Sequence, residues 1–248
     1  MRGLLKTTWM EAKLFLREPM SAFFTLIFPL MYLFIFGAIS GNEPTPQYGG
    51  QRMLDTAIPS LIAVIVGITG LMPVTMTMAT YRERGILRRL QTTPVASWVV
   101  LAAQVIVNFA MSCAGMLLLI AAGTLIYRIR FEGNALSLLA GFVLSSLSFF
   151  GIGFVLAGSL PTVRSAWVAG MALLYPMMFL SGAFFMVDLL PKAVRTISAL
   201  MPLTYVVNLM RGLWAGDAWA AHVLDVGVLV GVLVVGVVAS VRAFRWES

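Results

Sequence analysis

Residues 81–95 read Tyr-Arg-Glu-Arg-Gly-Ile-Leu-Arg-Arg-Leu-Gln-Thr-Thr-Pro-Val, a short polar island between two long apolar runs. At about 100° per residue, Ile86, Leu87 and Leu90 fall on one side of a helix and Arg84, Arg88 and Arg89 on the other. The island therefore predicts an amphipathic surface helix. Its arginines, packed between two apolar runs, favour the cytoplasmic side, where basic residues are retained during insertion. Composition alone leaves two readings: a solvated loop that fixes topology, or a docking helix for a cytosolic partner.

The flanking runs set the fold class. Of 248 residues, 60% are hydrophobic and 11% charged, with a mean hydropathy of +0.94, well outside the range of soluble domains. The charge-free runs fit helices crossing about 30 Å of hydrocarbon, which takes about 20 residues each; a membrane barrel would show short alternating segments instead. The expected fold is all-α, with six spans over 22–39, 57–80, 98–127, 134–160, 165–185 and 221–241. Pro29 and Pro73 are expected to bend the first two spans. Gly141, Gly151, Gly153 and Gly158 in the fourth, and Gly227 and Gly231 in the last, are spaced for close helix packing.

Upstream, Arg2, Lys6, Lys13 and Arg17 share one arc of a helical wheel, beside an arc of Leu4, Leu5, Trp9, Phe15 and Leu16. This predicts an interfacial helix over 1–19, basic face toward anionic headgroups. A cleaved signal peptide ending at Ala38-Ile39-Ser40 is the competing reading, disfavoured by a long apolar run and a long amphipathic leader. Residues 188–217 are too apolar for a solvated loop yet broken by Pro191, Pro202 and Gly212. They predict a re-entrant pair of short helices on the outer side. With both termini cytoplasmic, eleven of the seventeen basic residues lie inside, as the positive-inside rule requires.

The net charge of +7 is divided among membrane-flanking segments, so topology accounts for it better than nucleic acid does. Cys113, the single cysteine, reads as a small core residue. None of the lysines, Lys6, Lys13 and Lys192, stands in a glycine-rich phosphate loop, so ATP hydrolysis by that route is not expected from this chain. The spans carry no ionisable residue at depth, and His222 and Asp225 read as interfacial rather than as a proton relay. No cluster of residues suggests a catalytic, cofactor or metal site. What the spans do offer is Met72 and Met76 in the second and Met177, Met178 and Phe179 in the fifth. Singly these are packing residues; as a set they make an adaptable apolar lining.

Arg82-Glu83-Arg84-Gly85, then Leu87-Arg88-Arg89-Leu90 and Thr93-Pro94-Val95, resembles the loop after the second span in ABC exporter permeases of type 2. Ser181-Gly182-Ala183-Phe184-Phe185, Leu190-Pro191, Pro202-Leu203-Thr204-Tyr205 and Leu209-Met210-Arg211-Gly212 resemble that family's signature before its last span. The likeness covers essentially the whole chain. It implies a permease subunit in the cytoplasmic membrane, paired with a second copy or a paralogue and surrounded by lipid. Separate cytosolic ATPase subunits would bind ATP and magnesium. It implies ATPase coupling through Arg82, Glu83, Arg84, Gly85, Arg88 and Arg89, and a cargo path along the second and fifth spans. The apolar lining points to a drug, antibiotic or lipid. The alternatives are export of a glycan or lipid-linked saccharide, and a non-transporting scaffold or sensor.

Overall fold

The computed structural model describes residues 2–40, 52–86, 97–184 and 191–243, and its elements are helical. Among the described residues, six helices are long and apolar enough to cross a membrane: Pro19–Ile39, Met53–Glu83, Val99–Tyr127, Ala135–Ser159, Val163–Leu180 and Trp219–Ser240. The protein is a multi-pass membrane protein.

The second span is the axis of the bundle. Its sequence is apolar all round, the pattern of a helix buried on every face, and 89% of its most apolar window is buried, against 17% for the last span. Its polar side chains tolerate that enclosure by bonding within their own helix: Ser60 donates to the Thr56 carbonyl, Thr69 to Ile65 and Thr75 to Leu71. The helix continues through Pro59 and Pro73.

Small residues let neighbours close on this axis. A Cβ on Gly153 would collide with the carbonyl oxygen of Gly70. Nearby, Gly151 meets Gly236 of the last span backbone to backbone, where a Cβ on Gly236 would lie 2.9 Å from the Gly151 Cα. Of the last span's glycines it is therefore Gly236 that packs, while Gly227 and Gly231, the pair expected from spacing, face open space. Within this single chain, the expected pair makes no close helix contact among the described residues.

Other boundaries also move for local reasons. The first span starts at Pro19, not Ala22, because Pro at the first helical position needs no N–H partner. Instead of a simple kink at Pro29, a π-helical turn occupies Phe23–Ile27. Pro29 offers no N–H to the carbonyl four residues back and crowds it; that carbonyl, of Thr25, lodges where Gly115 has no side chain. The fifth span stops at Leu180 rather than Phe185: Ser181 caps it and Gly182 follows at φ +83, the left-handed position glycine takes without penalty. Residues 185–190 lie outside those described.

The helix expected over 81–95 does not begin at Tyr81. The second span's helix runs on through Glu83, and a turn at Arg84 and Gly85, with Gly85 at φ +64, interrupts it. Residues 87–96, including Arg88 and Arg89, lie outside the described residues. The 188–217 stretch contains two helices, Lys192–Ser198 and Pro202–Ala215, at 88° to one another. Thr204 donates to the Ser198 carbonyl and Tyr205 to that of Ala199, closing the corner. The second helix buries Leu203, Val206, Val207 and Met210 in the main core.

Candidate functional site

One face of the second span escapes enclosure. There the first, second and fifth spans leave a groove with a cavity volume of about 430 Å³. The first span contributes a stripe at intervals of about four residues, Phe24, Phe28, Tyr32 and Phe36; the second contributes Ile68, Met72 and Met76. The fifth supplies Trp167, Met171, Tyr175, Met178 and Phe179, and Phe184 closes one end.

The aromatic stripe is internally packed. Tyr32 stacks on Phe36 with centroids 4.1 Å apart and meets Phe184 at 5.0 Å, and Phe179 meets Phe184 at 5.7 Å. Such ring pairs hold their geometry better than aliphatic contacts do. Gly170 makes room for Met72, whose sulfur would stand 3.0 Å from a Cβ at that position.

Four of the five residues expected on a cargo path line this groove: Met72, Met76, Met178 and Phe179. Met177 does not. It is buried in the main core, because consecutive helical positions point about 100° apart. The first-span stripe was missed, although its signal, aromatics at 24, 28, 32 and 36, stands in the sequence.

At one end of the bundle, three successive residues of the second span each hold a different element. The Tyr81 hydroxyl donates to Glu11 of the N-terminal helix Arg2–Arg17. Arg82 donates to the carbonyls of Gly158 and Leu160, at the exposed end of the fourth span. Glu83 accepts from the backbone N–H of Val163, the first residue of the fifth span, at 3.1 Å. Arg82 thus meets a helix C-terminus and Glu83 a helix N-terminus, the favourable sign at each. Thr162 completes the turn as N-cap, in a capping box with Ser165. Burial pushes the Glu11 carboxyl above its ordinary value, opposed by the bond from Tyr81. Arg84 is exposed.

At the opposite end, Arg211 donates to Ser60 Oγ and to the Gly182 carbonyl, both at 2.7 Å. His222 lies between two carboxylates, 2.8 Å from Asp225 and 3.3 Å from Asp217. Asp55 accepts from the Arg130 backbone, and Trp214 donates to the Arg130 carbonyl. These contacts gather residues 55, 130, 182, 211 and 222 at one end, and residues 11, 81–83 and 158–163 at the other, so consecutive spans run antiparallel.

Residues 4–214 match the family described as ABC-2 type transporter. Over 161 residues the chain is 23% identical to "Probable multidrug ABC transporter permease YbhR" of Escherichia coli (strain K12), covering 65% of this chain and 44% of that protein. Its identity to "Probable multidrug ABC transporter permease YbhS" of the same strain is 26% over 171 residues, 68% of this chain and 45% of YbhS. To nodulation protein J of Rhizobium leguminosarum bv. viciae it is 33% over 102 residues, 41% and 39% of the two chains. The matches thus span less than half the length of these curated relatives.

Proposed function

The chain belongs to the ABC-2 type transporter family, and from that premise we propose that it is the membrane-spanning subunit of an ATP-driven exporter of apolar or amphiphilic molecules. The observation that carries the reading is the groove: an aromatic and methionine-lined channel along an open face of a largely enclosed axis. Such a lining accommodates varied apolar shapes. A glycan route would call for polar side chains in its wall, and a scaffold would need no route.

In this reading both termini and the Tyr81–Glu83 end are cytoplasmic, in the cell's inner membrane. Two permease chains, identical or paralogous, pair with separate ATPase subunits that bind ATP and magnesium. The ATPase docks against Arg84, Gly85 and the arginines beyond them, Arg88 and Arg89. Arg82 and Glu83 transmit rather than dock, since both are bound to the turn that joins the fourth and fifth spans. A push on the segment after Gly85 therefore reaches the fifth span, one wall of the groove. The 188–217 helices form the external re-entrant pair, and the N-terminal helix lies along the cytoplasmic surface, its Glu11 held by Tyr81.

Co-reconstitution with a cognate ABC ATPase subunit tests the reading. ATP-dependent movement of a lipophilic dye out of the loading compartment is expected. Intact assembly with ATP hydrolysis but no transport across a panel of apolar dyes would favour the scaffold.

A further inference from the structure

We infer that the groove selects lipophilic cations, with Glu18 receiving the positive end. The inference rests on the groove being the cargo route and adds to that reading the charge of the cargo.

Glu18 lines the groove at the end where the first span begins; among the described lining residues it is the only carboxylate, and none of them is a lysine, arginine or histidine. Glu18 occupies the N-cap position before Pro19, yet its carboxylate makes no capping hydrogen bond. Among the described residues no side chain pairs with it, in contrast to Glu11 with Tyr81 and Asp225 with His222. The nearest basic residues in sequence do not neutralise it within the groove: Arg17 is exposed and outside the lining, and Lys13 sits over the Trp9 ring.

Beyond Glu18 the wall is aromatic. Ring faces attract cations and give nothing comparable to anions, and a single carboxylate beside low-dielectric walls is felt further than it is in water. Electrostatics therefore admits a positive centre at Glu18 and opposes a negative one. The dimensions fit an elongated amphiphile. From Glu18 to Phe36 the helix rises roughly 27 Å at about 1.5 Å per residue, close to the full thickness of the hydrocarbon core. A cargo anchored at Glu18 has an apolar path across nearly the whole bilayer.

The test uses the full chain in nanodiscs of zwitterionic lipid, with empty nanodiscs as the partition blank. Equilibrium binding of tetraphenylphosphonium is compared with that of tetraphenylborate, a pair alike in shape and opposite in charge. Saturable binding of the cation, at least tenfold tighter than the anion, is expected. Glu18→Gln should erase that preference and Glu18→Asp should keep most of it. Equal binding of the two probes, saturable binding of neither, or an unchanged preference in Glu18→Gln overturns the inference. Met76→Trp separates the two levels of the argument. If it blocks binding while Glu18→Gln has no effect, the groove stands and its cation selectivity falls. If saturable binding survives Met76→Trp unchanged, the probe sits elsewhere and the groove reading falls too.

Discussion

The Tyr81 hydroxyl donates to Glu11 Oε1 across 2.5 Å, joining the N-terminal helix to the last turn of the second span. Burial raises the Glu11 carboxyl above its ordinary 4.5, so the docked helix holds a proton more readily than a released one. Docking is therefore favoured at low pH, and that contribution is lost as pH rises through the raised value. Hydrogen exchange across 5–16, corrected for intrinsic rates, should show protection declining as pH rises past the ordinary 4.5. Tyr81→Phe should lower it further at neutral pH, by about 1–3 kcal/mol for a buried acceptor left without its donor. Protection independent of both pH and Tyr81 would remove this bond from the docking.

Arg82 and Arg84 are two residues apart and should fail differently. Arg82→Ala strips the donor from the Gly158 and Leu160 carbonyls and should destabilise the bundle by about 1–3 kcal/mol. Export should fall while the ATPase still co-purifies. Arg84→Ala, at an exposed position, should leave stability within about 0.5 kcal/mol and weaken co-purification. Reversal of the two phenotypes would exchange the roles.

The glycines of the last span divide in the same manner. Gly236→Val drives a side chain into the Gly151 backbone and should cost about 1–3 kcal/mol or more in stability, visible as a lower melting temperature in detergent. Gly227→Val and Gly231→Val meet open space and should melt with the parent chain. An equal loss at all three positions would contradict the helix contact.

Most of the architecture was legible because hydropathy and length speak to spans directly. The third and fourth helices, Ser97–Tyr127 and Ala135–Ser159, begin and end within a residue of expectation. Rotation about the helix axis was not legible. Gly227 and Gly236, or Met177 and Met178, differ in what they face, and a uniformly apolar span has no polar side to fix its orientation. The partners of Arg82 and Glu83 were hidden for a related reason: each meets backbone groups more than 70 positions away, and backbone groups carry no sequence signature.

Labelling tests the sidedness of the paired short helices. Single cysteines at Lys192 and Asp217, both exposed, in a Cys113→Ala background should react with an impermeant thiol reagent applied outside. Reaction of Asp217→Cys only from the cytoplasmic side would turn Lys192–Ser198 and Pro202–Ala215 into a crossing segment.

Cargo size should respond to the groove wall alone. Met76→Trp and Phe179→Trp, both lining the cavity, should reduce export of bulky substrates several-fold with ATPase assembly intact. Met177→Ala, in the core, should lower stability by about 2–5 kcal/mol and leave the size profile unchanged. A changed profile in Met177→Ala, with none in the other two, would move the route to the opposite side of the fifth span.

The π-helical turn at Phe23–Ile27 gives the first span one residue of slack. A chain one residue shorter at that point would wind as ordinary α-helix, and because a π turn holds one more residue than an α turn, the segments on either side would keep nearly the same rotation about the axis. Glu18 and Met20 on one side, and Tyr32 and Phe36 on the other, would all keep facing the groove. A single-residue deletion, usually ruinous within a transmembrane helix, becomes at this turn a change that descendants of this sequence can absorb without re-aiming the mouth of the route.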